Sequence, residues 1–409
     1  HRLEYPFINC TNCGPRFTII KELPYDRPLT TMAPFEMCER CKAEYENVED
    51  RRFHAQPVAC NECGPHYFIA NGTRKNKSIR DIISSIIEII ETGGIVALKG
   101  CGGFHLICDA RSEEAVQQLR TRKGREGKPL AVMCKDTEKA GSIAFINAEE
   151  KELLESWQRP IVLLRSKRKL AKSVSNGIDT VGVILPYMPI HNMIFESIKD
   201  KVLVFTSANF SDEPVITDVE TGRDKLESVA DLVISYNREI YNRADDSVAR
   251  IIADRPVVLR RSRGYVPLSV LTSLDTEGIF AAGSELVNSF AIGKGKEVIL
   301  SQYIGDLKNL PTMDFYRSSY ELLSNLYRFK PEIIVRDMHP DYLSSGFAEE
   351  LADKLSLPLL KVQHHHAHIA SCMAENQVEE EVIGLSLDGV GLGNDGRIWG
   401  GEVPVSYTH

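Results

Sequence analysis

Three Cys-x-x-Cys pairs, Cys10/Cys13, Cys38/Cys41 and Cys60/Cys63, are the residues whose type and spacing point most directly to chemistry. Two thiolates from one tight turn supply half a tetrahedron, and a second turn must supply the rest. The 18 residues between Cys41 and Cys60 fall within the spacing of a four-thiolate knuckle, so Cys38, Cys41, Cys60 and Cys63 are expected to hold a structural Zn²⁺. Cys10 and Cys13 repeat Cys60 and Cys63 fifty residues earlier, with Cys13-Gly14-Pro15 and Ile19 matching Cys63-Gly64-Pro65 and Ile69. They are expected to be zinc ligands of a knuckle whose other pair precedes His1, and the chain reads as cut at its start. A disulfide framework suits small secreted scaffolds and fits a chain of 409 residues with 10 cysteines less well. Cys101, Cys108, Cys134 and Cys372 stand alone and read as buried apolar fillers.

A second constellation is cationic. Lys99, Arg120, Arg122, Lys123, Arg125 and Lys128 can converge with Arg260, Arg261 and Arg263 on a polyphosphate, which suits both the arginine fork and the lysine point charge. Thr206-Ser207-Ala208-Asn209 closes a strand with hydroxyls and an amide able to hold a nucleotide phosphate or a small carboxylate. The plainer alternative is a solvated basic face and a turn begun by Ser and Asn. Gly100–Gly103 has neither P-loop nor dinucleotide-binding spacing.

The third constellation is Gln363-His-His-His-Ala-His368. On a helix, His364 and His368 share one face and can offer two imidazoles to a divalent metal or a phosphate. Asp388, between a strand and a glycine turn, can face the same cleft and touch that metal or the Mg²⁺ of a nucleotide. His365 and His366 are expected to face elsewhere. Asp337 and Asp341, around His339, read as well as ordinary loop caps.

The elements that position these groups form three α/β-type blocks. Residues 1–78 are Cys-rich, polar and weakly periodic, as metal-stapled loops are, and 71–78 has linker composition. Residues 79–270 alternate helices (82–90, 113–119, 148–156) with strands (95–98, 130–134, 161–164, 203–207). Residues 275–409 read strand, strand, strand, helix, strand, helix, the opening of an actin-like ATPase lobe, followed by a strand over 382–387. Composition is that of an ordinary globular chain, 43% apolar and 26% charged. No apolar run approaches the ~20 residues of a membrane span. A net charge of −8 supplies no global attraction for nucleic acid, and reducing cytosol is the expected compartment.

These motifs together resemble the HypF carbamoyltransferase family of nickel–iron hydrogenase maturation. Asp50-Arg-Arg-Phe-His-Ala-Gln-Pro57 and Cys60-Asn-Glu-Cys-Gly-Pro65 resemble its duplicated zinc finger. Lys123-Gly-Arg125, Lys128-Pro-Leu130, Thr206-Ser-Ala-Asn209 and Arg261-Ser-Arg-Gly-Tyr-Val-Pro267 resemble its YrdC-like domain. Ser301-Gln-Tyr-Ile-Gly-Asp-Leu307, Met338-His-Pro-Asp-Tyr342, Gln363–His368, Leu387-Asp-Gly389 and Trp399-Gly-Gly-Glu402 resemble its TsaD-like, actin-fold domain.

The resemblance implies that carbamate derived from carbamoyl phosphate reacts with ATP to give carbamoyl adenylate and pyrophosphate. The carbamoyl group then passes to the C-terminal cysteine of the partner HypE, where it becomes a cyanide ligand. Lys99, Lys123 and Arg125 would neutralise the phosphoryl oxygens. Ser207, Asn209, Lys128, Arg261 and Arg263 would bind ATP, which is expected to come with Mg²⁺, and Asp388 would serve nucleotide or metal. A divalent metal at His364 and His368 would hold the adenylate phosphate or polarise its carbonyl. The acylphosphatase domain and the second actin-like lobe are not recognisable, so the third block is expected to be an incomplete transferase with an exposed apolar face. Two other readings stay open: an enzyme of tRNA threonylcarbamoyladenosine synthesis, and a non-catalytic zinc-dependent interaction module.

Overall fold

The computed structural model describes residues 1–9, 15–71, 78–125, 127–198, 200–210 and 213–406, with 405 and 406 described by backbone alone. Cys10, Cys13 and most of the expected linker lie outside the described residues. The chain divides into two compact units, His1–Ser211 with Val215–Tyr265, and Val266–His409 with Asp212–Pro214.

The first unit is organised by a mixed sheet. Its strands are β1 (Tyr67–Ile69), β2 (Val96–Lys99), β3 (Phe104–Asp109), β4 (Val132–Met133), β5 (Ile161–Arg165), β6 (Thr180–Ile184), β7 (Leu203–Ser207), β8 (Leu232–Tyr236), β9 (Val248–Ile252) and β10 (Arg255–Arg260). They lie in the order β1-β8-β2-β3-β7-β4-β6-β5-β9-β10. Side chains of successive strand residues point to opposite faces, and both faces are covered. Val96, Leu98, Ile107, Leu203, Phe205 and Ile234 enter one core, while Ala97, Leu106, Cys108, Val204 and Val233 enter the other. That is why these strands read as near-continuous apolar runs.

The helix Ile79–Glu91 seals the first of these cores with Ile82, Ile83, Ile86 and Ile90. Its start is fixed by a capping box between Ser78 and Asp81, and each buried isoleucine contributes about 1.5–3 kcal/mol. The cysteine-rich segment belongs to this unit, for β1 pairs antiparallel with β8, Tyr67 opposite Tyr236.

The second unit has a sheet in the order β11-β14-β13-β12-β15-β16, with β11 (Ser269–Leu271), β12 (Ile279–Ala281), β13 (Ala291–Lys294), β14 (Glu297–Leu300), β15 (Ile333–Asp337) and β16 (Leu359–Val362). β12, β13 and β14 form an antiparallel meander, and β15 and β16 add parallel to β12. The three-strand meander extended by parallel strands through the helices Leu310–Tyr327 and Leu343–Leu355 is the actin-like lobe expected from the sequence.

Two local expectations need correction. The strand expected over 382–387 is limited to Val382–Ile383, paired with Val405–Ser406, while Ser386 makes an isolated bridge to Glu402. With so short a ladder, Leu385 and Leu387 stay 68% and 89% exposed. Cys108 and Cys134 are buried as expected, but Cys101 is half-buried and Cys372 is exposed. Cys372 lies on the helix His364–Asn376, which buries only His365.

Candidate functional site

The four-cysteine centre forms where the helix Glu39–Glu46 starts. Cys38 is its N-cap and Cys41 lies in its first turn, facing the loop that carries Cys60 and Cys63. Cys60 Sγ lies 3.7 Å from Cys38 Sγ and 3.8 Å from Cys63 Sγ, and the four sulfurs are all within 4.8 Å of one another. A tetrahedral Zn–S distance of about 2.3 Å requires sulfur–sulfur edges of about 3.8 Å, so these residues fit the ion. Arg2 Nη2 donates to Cys41 Sγ at 3.2 Å and Nε to Ala59 O at 2.8 Å, placing a cation beside the sulfur cluster.

The cationic constellation resolves into residues that meet and residues committed elsewhere. The helix Glu113–Lys123 packs Ala115, Val116 and Leu119 into the core and ends at Gly124, whose φ of +64° turns the chain back. This aims Lys123 at the end of β7. Lys123 Nζ donates to Ser207 O at 2.5 Å and Asn209 Oδ1 at 3.2 Å, Ser207 Oγ donates to Asn209 Oδ1 at 3.0 Å, and Arg125 Nη1 reaches Thr206 Oγ1 at 3.4 Å. Burial, reinforced by Arg125 and Arg260, pushes the Lys123 ammonium down to about 7. Asp245 offsets this only in part, and a buried cation so incompletely compensated is poised for a further anion.

Arg120 instead clamps the loop, donating to Ser173 O, Arg125 O and Lys128 O. Arg122 pairs with Asp231 at 2.8 Å and Arg260 with Asp245 at 3.0 Å. Lys128 is exposed, and the guanidinium of Arg261 lies 5.9 Å from the Tyr265 ring centroid. Lys99 turns its ammonium to Tyr236 O at 3.3 Å and Arg238 O at 3.1 Å, and burial lowers it to about 8.

Arg263 is a core residue here. Its Nε lies 2.7 Å from Asp246 Oδ1, and its guanidinium sits 3.6 Å from the Tyr187 ring centroid. His105 Nε2 holds the other Asp246 oxygen at 2.9 Å. Burial would raise the Asp246 carboxyl, but Arg263 and His105 outweigh it and hold it well below the usual carboxylate range. Nothing in the sequence spacing joins His105, Asp246 and Arg263; the sheet brings them together.

In the second unit, parallel β15 and β16 set Asp337 opposite Val362, directly before the helix His364–Asn376. Asp337 Oδ2 lies 2.7 Å from His364 Nδ1, a link that the loop-cap reading of Asp337 had left open. His364 Nε2 then faces His368 Nε2 at 3.2 Å and Asp388 Oδ2 at 3.0 Å, and His368 Nε2 lies 3.8 Å from the same oxygen. Donors about 2.1 Å from a common ion stand about 3.0 Å apart at octahedral and 3.4 Å at tetrahedral angles. Asp388 Oδ2 is buried, with the two imidazole nitrogens as its ion-pair partners. Converging imidazole nitrogens and a buried carboxylate oxygen fit a divalent cation. The bond from Asp337 is the leading cause that raises His364, and burial followed by His364 lowers His368. His365 turns away into the interior, bonded through Nδ1 to Gln363 Nε2 at 2.8 Å.

Known proteins match this chain along its whole length. It is 44% identical to the carbamoyltransferase HypF of Synechocystis sp. over 98% of this chain and 52% of that protein. It is 40% identical to that of Rhodobacter capsulatus over 98% of this chain and 54% of that one. The solved structure of full-length HypF in a phosphate- and nucleotide-bound form superposes with a TM-score of 0.93 at 46% identity, covering 99% of this chain and 53% of that one. The chain belongs to the HypF family. Family models for the HypF finger (residues 1–20 and 37–70), for telomere recombination of the Sua5–YciO–YrdC type (88–262) and for the HypF Kae1-like domain (274–375) match in order. The HypF of T. kodakarensis superposes equally well, with a TM-score of 0.93 at 45% identity over 98% of this chain and 52% of that one. The chain thus spans about half the length of the curated relatives it matches. Among the described residues, no helix is long and apolar enough to cross a membrane.

Proposed function

We propose that this HypF-family chain carries ATP-dependent carbamoyl adenylation and carbamoyl transfer. The observation that carries the reading is the buried, anion-poor Lys123 ammonium held among Ser207, Asn209 and Arg125. The solved full-length HypF is a phosphate- and nucleotide-bound form, which supports nucleotide binding within the family. Residues 1–78 act as the finger, 79–270 as the adenylating domain and 275–409 as the transfer domain.

Carbamate, derived from carbamoyl phosphate, attacks the α-phosphorus of ATP through oxygen, and the bond to the β-phosphate breaks to release pyrophosphate. The thiolate of a C-terminal cysteine on a HypE-type partner attacks the carbamoyl carbon, and the carbon–oxygen bond to AMP breaks. Lys123 and Arg125 meet charge on the non-bridging oxygens, Ser207 and Asn209 orient the nucleotide, half-buried Arg261 assists, and exposed Lys128 approaches from solvent. Lys99, tied to carbonyls, fixes the neighbouring turn. The four cysteines would hold Zn²⁺ as a structural ion and Mg²⁺ would accompany ATP, while a divalent metal on His364, His368 and Asp388 would supply Lewis acidity. Asp337 orients His364 in that set. Reducing cytosol suits the four-thiolate centre.

ATP–pyrophosphate exchange tests the reading. Exchange with carbamate from ammonium bicarbonate, without threonine, is the expected result. Exchange that needs bicarbonate plus threonine would move the chain to threonylcarbamoyl chemistry, and none with either in a folded, zinc-loaded sample would overturn the adenylating role.

A further inference from the structure

A column of aromatic rings joins the zinc knuckle of the first unit to its glycine-rich turn. It starts at Gly64, beside the ligand Cys63, where a Cβ would lie 1.9 Å from Tyr5 Oη, so Tyr5 packs directly on the knuckle backbone. Tyr5 leads to Phe7 with ring centroids 5.8 Å apart. Phe7 stacks on Tyr67 at 4.9 Å and meets Tyr236 edge-on at 5.1 Å, and the two tyrosines lie 5.3 Å apart. None of the four is more than 4% exposed.

The column ends in two hydrogen bonds to consecutive carbonyls. Tyr67 Oη donates to Lys99 O at 3.2 Å and Tyr236 Oη to Gly100 O at 2.7 Å. Those carbonyls open the turn closed by the bond from Gly100 N–H to Gly103 O at 2.8 Å. Gly102 leaves it no slack, since a Cβ there would lie 2.1 Å from Ala244 O. The next residue, Phe104, accepts from the N–H of Ala208 at 2.7 Å, and Ala208 stands between Ser207 and Asn209. Direct contacts therefore run from a metal ligand to the Lys123 cluster within one unit.

We propose that Tyr67 and Tyr236 are positioning residues through which the metal-loaded knuckle holds the Lys99–Phe104 turn, and with it Ser207 and Asn209, in the geometry that adenylation requires. The proposal rests on the function argued above. An apolar ring stack alone would serve as a core; what singles this one out is that two of its three hydroxyls, those of Tyr67 and Tyr236, are spent on the backbone of one turn, beside the nucleotide residues.

The test removes hydroxyls and keeps rings. Tyr67→Phe, Tyr236→Phe and the double variant are compared with Tyr45→Phe, which deletes the bond from Tyr45 Oη to Gln56 Oε1 (2.9 Å) in the same knuckle without reaching the turn. The double variant is expected to lose about tenfold in kcat for carbamate-dependent exchange, the order of one or two hydrogen bonds, with KM for ATP within about twofold. Hydrogen exchange at the Gly100 and Phe104 amides should quicken by a similar factor. Tyr45→Phe should change neither. Wild-type kcat with unchanged amide exchange in the double variant would overturn the proposal, as would an equal loss in Tyr45→Phe. If the double variant does not fold, Tyr67→Phe alone is judged by the same two readouts. If the wild-type chain itself shows no exchange, the functional reading fails, and the amides of Gly100 and Phe104 still decide the coupling: faster exchange supports it and unchanged exchange overturns it.

Discussion

Replacing Lys123 by methionine should abolish a proton that the protein takes up when ATP binds. The side chain is 5% exposed, and its ammonium is lowered from 10.5 to about 7 by burial, Arg125 and Arg260. Nucleotide phosphate supplies the missing anion and returns the group toward its ordinary value. At pH 8 about one tenth of the free protein then carries the proton and nearly all of the complex does, so about 0.9 proton is taken from buffer, against about 0.5 at pH 7 and about 0.1 at pH 6. ATP titrated calorimetrically in two buffers of different ionisation enthalpy counts these protons, and subtracting Lys123→Met removes the contribution of ATP itself.

The stability of the ligand-free protein should move in step. Between pH 7 and 10.5 the unfolded chain binds the proton that the folded chain rejects, so the wild type gains stability relative to Lys123→Met as pH rises through that window. Below pH 7 the cost of the buried cation is fully present, an upper figure of about 5 kcal/mol for the drop from 10.5 to about 7, and the variant should be the more stable protein. A wild-type minus variant uptake below about 0.3 proton at pH 8, or a variant no more stable at pH 6.5, would refute the reasoning.

Asp337→Asn should weaken divalent metal binding about 10- to 100-fold, because the carboxylate that orients His364 is lost while His364, His368 and Asp388 remain; competition with a chromophoric chelator measures it, and unchanged affinity would exclude the orienting role. Asp246→Asn strands Arg263 and His105 in the core without an anion and should cost about 3–5 kcal/mol in chemical denaturation, whereas a loss below about 1 kcal/mol would mean that solvent reaches the pair.

Legibility differed between signals. The four-thiolate centre follows from spacing alone, because Cys38/Cys41 and Cys60/Cys63 each occupy one tight turn. The shared face of His364 and His368 follows from helical geometry, and Ser207 and Asn209 from their place at a strand end; Lys123 stood among nine cations until the helix, expected over 113–119, was found to run on to Lys123 and aim it at that strand end. Arg263 and Arg120 were not separable from the nucleotide set by sequence, since the same guanidinium serves a phosphate, a buried Asp246 or a row of carbonyls. The hairpin of β9 and β10 was also silent: its two turn residues, Ala253 and Asp254, both have positive φ (48° and 61°) without the glycine that usually marks such a turn. Asp337 needed the parallel register of β15 and β16, which no local pattern carries.

The sheet order β1-β8-β2 places β8, which ends at Tyr236, between strands that end at Ile69 and Lys99. On the ribosome, β2 can pair at once with β3, which follows it, but β1 cannot find its partner until the chain has grown by about 167 residues beyond Ile69. At 5–20 residues per second that is about 8–33 s. Throughout that interval Tyr5, Phe7 and Tyr67 have no Tyr236 to pack on, and they form a sticky patch on the nascent chain. The four cysteines are complete by Cys63, so early metal capture would compact this segment while it waits and make zinc supply during synthesis a determinant of yield.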